Sequence, residues 1–216
     1  MPFEFAYLIL SHDNVAQLHR LVHAIRLSSP ASAIILHHDP SGDPLDASAF
    51  REIANVYFVD RPISVRWGEI TQLQALLHCF EWLAHKFDFH WLSVISGQDY
   101  PIRPLSISER ELRETKFDAF VEADQVANLN WAIVARYYFQ FWKLPRFRYY
   151  YKVPDRVRAR LRELRLAINL SHLPVRIEGG MRNAPLNLGI RALRPPFSDQ
   201  FRCYKGSDWF TLSRKS

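Results

Sequence analysis

Hydrophobic positions in the first 120 residues fall into two kinds of block, short continuous runs and longer stretches with helical spacing. Ala6-Tyr7-Leu8-Ile9-Leu10 is apolar throughout and is broken by Ser11-His12-Asp13-Asn14, after which Val15, Leu18, Val22 and Ile25 recur at helical intervals. This predicts a buried strand, a polar loop ending in an Asx cap, and an amphipathic helix. Ala33-Ile34-Ile35-Leu36 predicts a second strand, running into His37-His38-Asp39-Pro40-Ser41-Gly42-Asp43-Pro44, whose Pro, Gly and Asp residues demand a loop. Val56-Tyr57-Phe58-Val59 reads as a third strand. Trp67-Gly68 then opens a helix with Ile70, Leu73, Leu77 and Phe80 as its apolar stripe, and the chain returns to a fourth strand at Trp91-Leu92-Ser93-Val94-Ile95. After the polar loop Ser96-Gly97-Gln98-Asp99-Tyr100-Pro101, the spacing of Ser106 and Glu109 predicts a capping box and a short helix. Strand character resumes at Ala119-Phe120-Val121.

Strands apolar along their whole length, alternating with amphipathic helices, imply an α/β fold with an open, mostly parallel sheet and helices on both faces. The alternation fails near Trp131. Residues 136–151 are dense in rings and cations, and Pro154 starts an Arg-rich helix on which Arg158, Arg162 and Arg165 fall on one side and Leu161, Leu164 and Ile168 on another. A helical, aromatic- and Arg-rich insertion is expected there. Segment 183–198, with Pro185, Pro195 and Pro196, is expected to be ordered loop, and Trp209-Phe210-Thr211-Leu212 reads as a strand. The resulting division is an α/β core over 1–130, the insertion over 131–180, and a third region over 181–216.

With 48% hydrophobic residues in 216, the chain can bury a substantial core, and its 7 Gly exclude a collagen-like or low-complexity scaffold. A net charge of +6 favours anionic partners without choosing among them. Cys79 and Cys203 lie far apart with no C-x-x-C, which argues against a zinc framework or disulfide scaffold and for free thiols in a reducing compartment. No apolar run approaches the ~18 residues of a membrane span. A cytoplasmic location is expected, with any membrane contact peripheral and at the inner face.

Ligands of open parallel sheets gather beyond the carboxyl ends of the strands, and the loops there are all polar, although an Asp or Asn in such a loop is often only a helix cap. The dinucleotide fingerprint G-x-G-x-x-G, the P-loop G-x-x-x-x-G-K-[ST] and the nucleophile elbow G-x-S-x-G are all absent. Contiguous His37, His38 and Asp39 invite a metal, but neighbours at a strand end point to opposite sides, so one histidine is expected to face the core. Glu122-Ala123-Asp124 suits either magnesium or a solvated strand edge. No metal and no cofactor are expected. The ring-and-Arg segment 136–165 supports a rival reading, a non-catalytic module that docks on an anionic membrane or polyanion.

Five segments in order, Ala6-Tyr7-Leu8-Ile9-Leu10-Ser11-His12, His38-Asp39, Trp67-Gly68, Asp99-Tyr100-Pro101-Ile102-Arg103 and Gly206-Ser207-Asp208-Trp209-Phe210, resemble the core-2/I-branching β-1,6-N-acetylglucosaminyltransferase and peptide O-xylosyltransferase family. The last two are closer in wording to the xylosyltransferase branch. The resemblance implies a GT-A-like nucleotide-sugar-binding fold and inverting, metal-independent transfer of N-acetylglucosamine or xylose from a UDP-sugar to a hydroxyl of a glycan or peptide. By the same resemblance Ser11, His12 and Asp39 belong to the uridine-binding region. It further implies that Trp67, Gly68 and Asp99 line the donor cleft, that Asp208 and Trp209 face the acceptor hydroxyl, and that 181–216 is the start of an acceptor-side region. Arg103 and Lys205 are either phosphate contacts or solvated surface cations. The family's general-base glutamate and diphosphate-holding basic residues are expected downstream of the segment matching 206–210, so this chain is expected to bind a uridine nucleotide weakly and to turn over poorly or not at all.

Overall fold

The computed structural model describes all residues except 1, 67–68, 126–137, 145–153, 171–172, 180–185, 195–196, 199 and 216. Contacts divide the chain into two compact units, one formed by 1–122 with 207–216 and the other by 123–206.

The first unit is built around β1 (Pro2–Ser11), which pairs in parallel with β2 (Ala33–His38) on one edge and β4 (Asp88–Ser96) on the other. β3 (Val56–Phe58) adds in parallel outside β2. The remaining strands are β5 (Ala119–Phe120) and, from the chain's last residues, β11 (Phe210–Ser213). β11 inserts antiparallel between β4 and β5, giving the order β3-β2-β1-β4-β11-β5. The expected α/β sheet is therefore present and largely parallel. Its one reversed strand was not foreseen, because direction within a sheet leaves no mark on a four-residue strand.

Both faces of the sheet are covered. Phe5, Tyr7 and Ile9 of β1 point to one side, where Leu18, Leu21, Val22 and Ile25 of α1 (Val15–Ser28) meet them, joined by Leu105 and Leu112 of α3 (Leu105–Glu114). Ala6 and Leu8 point to the other side, against Cys79 and Leu83 of α2 (Thr71–Lys86). Two-faced burial explains why β1 reads as a continuous apolar run, and each large apolar side chain so buried contributes roughly 1.5–3 kcal/mol. The expected Asx cap is in place: Asn14 adopts the left-handed conformation (φ 51°) and its Oδ1 accepts the Gln17 amide at 3.2 Å. At the other end of α1 the Arg26 guanidinium donates to the carbonyls of Ser29, Pro30 and Ser32.

Three local expectations are corrected. The α2 stripe faces elsewhere: Ala75, Cys79 and Leu83 are buried with Phe80 partly so, while Ile70, Leu73 and Leu77 are 63%, 47% and 54% exposed. This helix is apolar on more than one side, so periodicity alone could not say which side the sheet would take. At α3, Ser106 is the second helical residue rather than the cap. The Leu105 amide is instead bonded by Ser28 Oγ at 2.6 Å, and Glu109 is buried, its Oε1 accepting from Tyr7 at 3.0 Å and from the Ser29 hydroxyl. Finally, 183–198 is not loop throughout, since it contains β9 (Leu186–Arg191).

The second unit carries a two-stranded pair, β6 (Asp124–Gln125) with β10 (Tyr204–Lys205), and an antiparallel sheet of order β7-β9-β8, where β7 is Phe139–Lys143 and β8 is Val175–Gly179. β9 is its central strand, and the alternation of Leu188 and Ile190 with Asn187, Gly189 and Arg191 is the period-2 signal that flanking prolines obscured. A Cβ on Gly189 would sit 2.6 Å from the Phe141 ring. The Arg-rich helix, α4 (Asp155–Leu170), forms as expected and is held to β8 by Asn169, whose side chain bonds both the N–H (2.8 Å) and the carbonyl (2.7 Å) of Ile177. Leu161 and Leu164, assigned to its apolar side, are exposed. The insertion thus contains sheet as well as helix.

Buried Tyr7 and Ser29 both depend on Glu109, and burial, reinforced by that carboxylate, pushes the Tyr7 hydroxyl above its ordinary range. Glu109→Leu strands two buried hydroxyls and is expected to lower unfolding free energy by about 2–4 kcal/mol, measured by urea denaturation. Adding Tyr7→Phe and Ser29→Ala should recover part of that loss. An unchanged midpoint for the single variant would show that the cluster contributes nothing.

Candidate functional site

The loops that end β1, β2 and β4 are stitched together by the backbone of β1. Its Ser11 carbonyl accepts the Asp39 amide and its Leu10 carbonyl accepts the Gly97 amide, each at 2.8 Å. Pairing on both edges therefore continues past the last residue of each neighbour. Close approach dictates two glycines. A Cβ on Gly97 would lie 2.7 Å from Ser11 Cβ, and one on Gly42 would lie 1.6 Å from the His12 carbonyl oxygen.

The two adjacent histidines diverge, as strand geometry requires. His37 is 2% exposed, and its Nε2 accepts the Ile63 amide at 3.1 Å, which needs an unprotonated nitrogen. Burial, the largest influence, pushes its pKa below the ordinary 6.5. His38 lies on the other side, bonded through Nδ1 to Ser11 Oγ (2.9 Å) and through Nε2 to the Asp43 carbonyl (2.6 Å). Asp43 itself binds the Asn14 amide at 3.0 Å and donates its own amide to the His12 carbonyl at 2.8 Å.

Asp39 is 5% exposed and serves as an organiser of backbone. One oxygen takes the amide and hydroxyl of Ser41 (2.8 and 2.7 Å) and the other takes the Val65 amide at 3.0 Å. Burial pushes its pKa up, but the Ser41 and Val65 donors together with His37 outweigh it and hold the carboxyl below the ordinary range. Through Val65, Asp39 anchors the segment that leads into α2. Trp67 and Gly68 lie outside the described residues. Immediately around them, the Arg66 amide donates to Thr71 Oγ1 at 2.8 Å.

His12 is exposed with Nε2 3.3 Å from Asp13. Asp13 accepts Gln98 Nε2 at 2.7 Å, and the neighbouring Asp99 turns its carboxylate onto the Ser96 amide at 2.7 Å. Ser11, His12, Asp39 and Asp99 are thus brought to one rim. Asp208 and Trp209 come from the approach to β11. Its first residue, Phe210, pairs with Val94. One Asp208 oxygen accepts Gln72 Nε2 at 2.8 Å, while Trp209 is partly exposed.

Gln72 escaped the sequence reading because nothing marks a glutamine on the first turn of a helix as the partner of a carboxylate 136 positions away. Arg103 forks onto Glu111 at 3.1 and 2.6 Å, so its guanidinium is already engaged. Lys205 lies in β10 of the other unit and is exposed. Among the described residues no group of three or more His, Cys, Asp or Glu side chains converges as metal ligands do. Both cysteines are free, and burial pushes the Cys79 thiol up to about 12.

The chain matches the family described as Core-2/I-Branching enzyme over residues 5–216. It belongs to that family. No curated protein matches it. Membership in the Core-2/I-Branching enzymes makes the protein a member of a glycosyltransferase family, which implies a nucleotide-sugar donor and a glycan acceptor, and the sheet is consistent with the GT-A-like fold. No helix among the described residues is long and apolar enough to cross a membrane.

The rim of this Core-2/I-Branching enzyme rests on a neutral His37. The unfolded ring titrates near its ordinary 6.5 while the folded ring resists protonation, so below that pH the unfolded chain binds more protons. Stability is then complete above about pH 6.5 and falls as the pH drops toward the depressed folded value. The thermal midpoint should decline between about pH 7.5 and 5.5 more steeply in the wild type than in His37→Leu, and equal slopes would exclude this origin.

Proposed function

We propose that this chain binds a UDP-sugar across the rim formed by the loops after β1, β2 and β4, and carries the donor half of the site for an inverting transfer of N-acetylglucosamine or xylose to a hydroxyl of a glycan or peptide, with little or no turnover by the residues present. The observation that carries the reading is the amide stitching at Ser11 and Leu10, which fixes three strand-end loops, and the residues resembling the family's uridine region, into one edge. Binding positions polar groups in advance, so that little reorganisation is needed when the sugar–phosphate bond breaks.

In an inverting transfer the acceptor oxygen attacks the anomeric carbon from the side opposite the diphosphate, which leaves with the bonding pair, and a carboxylate takes the hydroxyl proton. Asp208 supplies acceptor orientation in this reading. Gln72 holds one of its oxygens, and the other accepts no hydrogen bond from the described residues. Metal independence is supported by the β4 loop, which offers Gln98-Asp99 in place of Asp-x-Asp and turns the Asp99 carboxylate inward onto a backbone amide.

Calorimetric titration with UDP, with and without EDTA, tests the donor site. Saturable heat that is unchanged by chelator is expected. Absence of heat at millimolar nucleotide would remove the donor reading, and binding that requires magnesium would remove the metal-free one.

A second reading has one specific observation in its favour. Val157, Leu161 and Leu164 lie exposed on α4 together with Arg156, Arg160 and Arg162, an apolar and cationic surface suited to an anionic membrane. Co-sedimentation with acidic vesicles should then fall at least several-fold when the three apolar residues become serine. Undiminished sedimentation of that variant would sink the docking role of α4.

A further inference from the structure

The sheet face covered by α1 and α3 is incompletely filled. Between these helices lies a cavity of about 360 Å³, a size within the range that holds small molecules. Its floor follows one line of strand register. Tyr7 of β1 sits beside Ser93 of β4, Ser93 beside Thr211 of β11, and Thr211 beside Phe120 of β5. All four residues line the cavity. Alternation along β4 and β11 puts Val94 and Phe210 against α2, so the side chains of Ser93 and Thr211 face the cavity side.

Three features define what fits. The walls are apolar, with Leu21 and Ile25 from α1 and Leu105 and Leu112 from α3. The floor carries the Ser93 and Thr211 hydroxyls, 2.9 Å apart. One of them donates to the other, which leaves one hydrogen and several lone pairs for a ligand. Around the opening stand Asp99, Glu111 and the exposed Tyr100, and no Lys or Arg contributes to the lining. A phosphate or carboxylate would meet the Asp99 carboxylate and a Glu111 carboxylate whose cation, Arg103, is already engaged by it, so an anionic ligand is disfavoured. A neutral ring that ends in an oxygen fits throughout: the ring lies against aliphatic walls and Phe120, its oxygen meets the floor hydroxyls, and sugar hydroxyls at the mouth meet carboxylates.

Asp99 also belongs to the β4 loop of the rim described above, so the cavity and the rim share this residue. We infer that this cavity receives the neutral, ring-bearing aglycone of an amphipathic acceptor glycoside and leaves its sugar at the Asp99 edge. The cavity as a binding site stands on its own geometry, while its role as an acceptor subsite rests on the proposed transfer reaction.

The test uses the full chain and three probes, 4-nitrophenyl β-galactoside, methyl β-galactoside and 4-nitrophenyl phosphate, followed by calorimetry and by amide and methyl NMR shifts. Saturable binding of the aryl glycoside is expected, with the methyl glycoside weaker by about tenfold or more and shifts centred on Ser93, Thr211 and Phe120. Thr211→Val should weaken the aryl glycoside several-fold, and Leu112→Trp, which fills the space, should abolish it while UDP heat is retained. Equal affinity for the methyl glycoside, binding of the phosphate as tight as that of the aryl glycoside, or shifts that map elsewhere on the wild-type protein would each overturn the inference, whether or not Leu112→Trp folds. Aryl-glycoside binding in a protein silent to UDP would remove the transfer reading and leave the cavity's ligand class standing. UDP heat without aryl-glycoside binding would do the reverse.

Discussion

Everything at the candidate site hangs from β1 being hydrogen-bonded on both edges. A strand in the middle of a parallel sheet has no free amides or carbonyls along its length, and here two carbonyls at its end, those of Leu10 and Ser11, are used to hold the loops of both neighbours. The loops are consequently extensions of the sheet rather than free connections. This ties the rigidity of the rim to burial of Phe5 through Ile9, because the side chains that fix β1 between two helical layers also fix where its last carbonyls point.

The same constraint accounts for the chemistry of the rim. Polar groups close to a sheet edge must be satisfied, and most are satisfied by backbone: Asp39 by the amides of Ser41 and Val65, Asp99 by that of Ser96, His37 by that of Ile63. Side chains whose lone pairs are pinned in this way cannot swing to follow a ligand, so they define a fixed surface of acceptors. The groups with freedom left, His12, Asp13 and Asp208, are exposed or half-exposed and are held by side chains rather than by backbone. The rim therefore combines a rigid base with a few adjustable carboxylates, a division that suits a site where one partner is gripped and another is presented.

The reversed strand β11 matters out of proportion to its four residues. By entering between β4 and β5 it lays Thr211 beside Ser93, and the residues that lead into it bring Asp208 to Gln72 of α2, so one insertion contributes both to the candidate site and to the floor of the neighbouring cavity. A strand inserted from far along the chain also makes its pairing with β5 a long-range one across 123–206, which is the topological cost of carrying a second unit between two adjacent strands.

Local patterning by itself determined the elements whose environment is uniform. Strands buried on both faces are continuous apolar runs, α1 has a single apolar side and an Asn cap, and the divergence of His37 from His38 follows from the pleat. The carboxyl-edge loops were legible for the same reason, since a break from apolar run to polar cluster is a one-dimensional signal. Tertiary structure alone decided which side of the apolar α2 would be buried, that Ser28 rather than Ser106 would cap α3, and that Gln72 would meet Asp208. It also set the direction and neighbours of β11 and turned Tyr7, Ser93 and Thr211 into one row. Each of these depends on energies between residues tens of positions or more apart, where several pairings satisfy the local pattern equally well and only simultaneous packing of all the layers selects one.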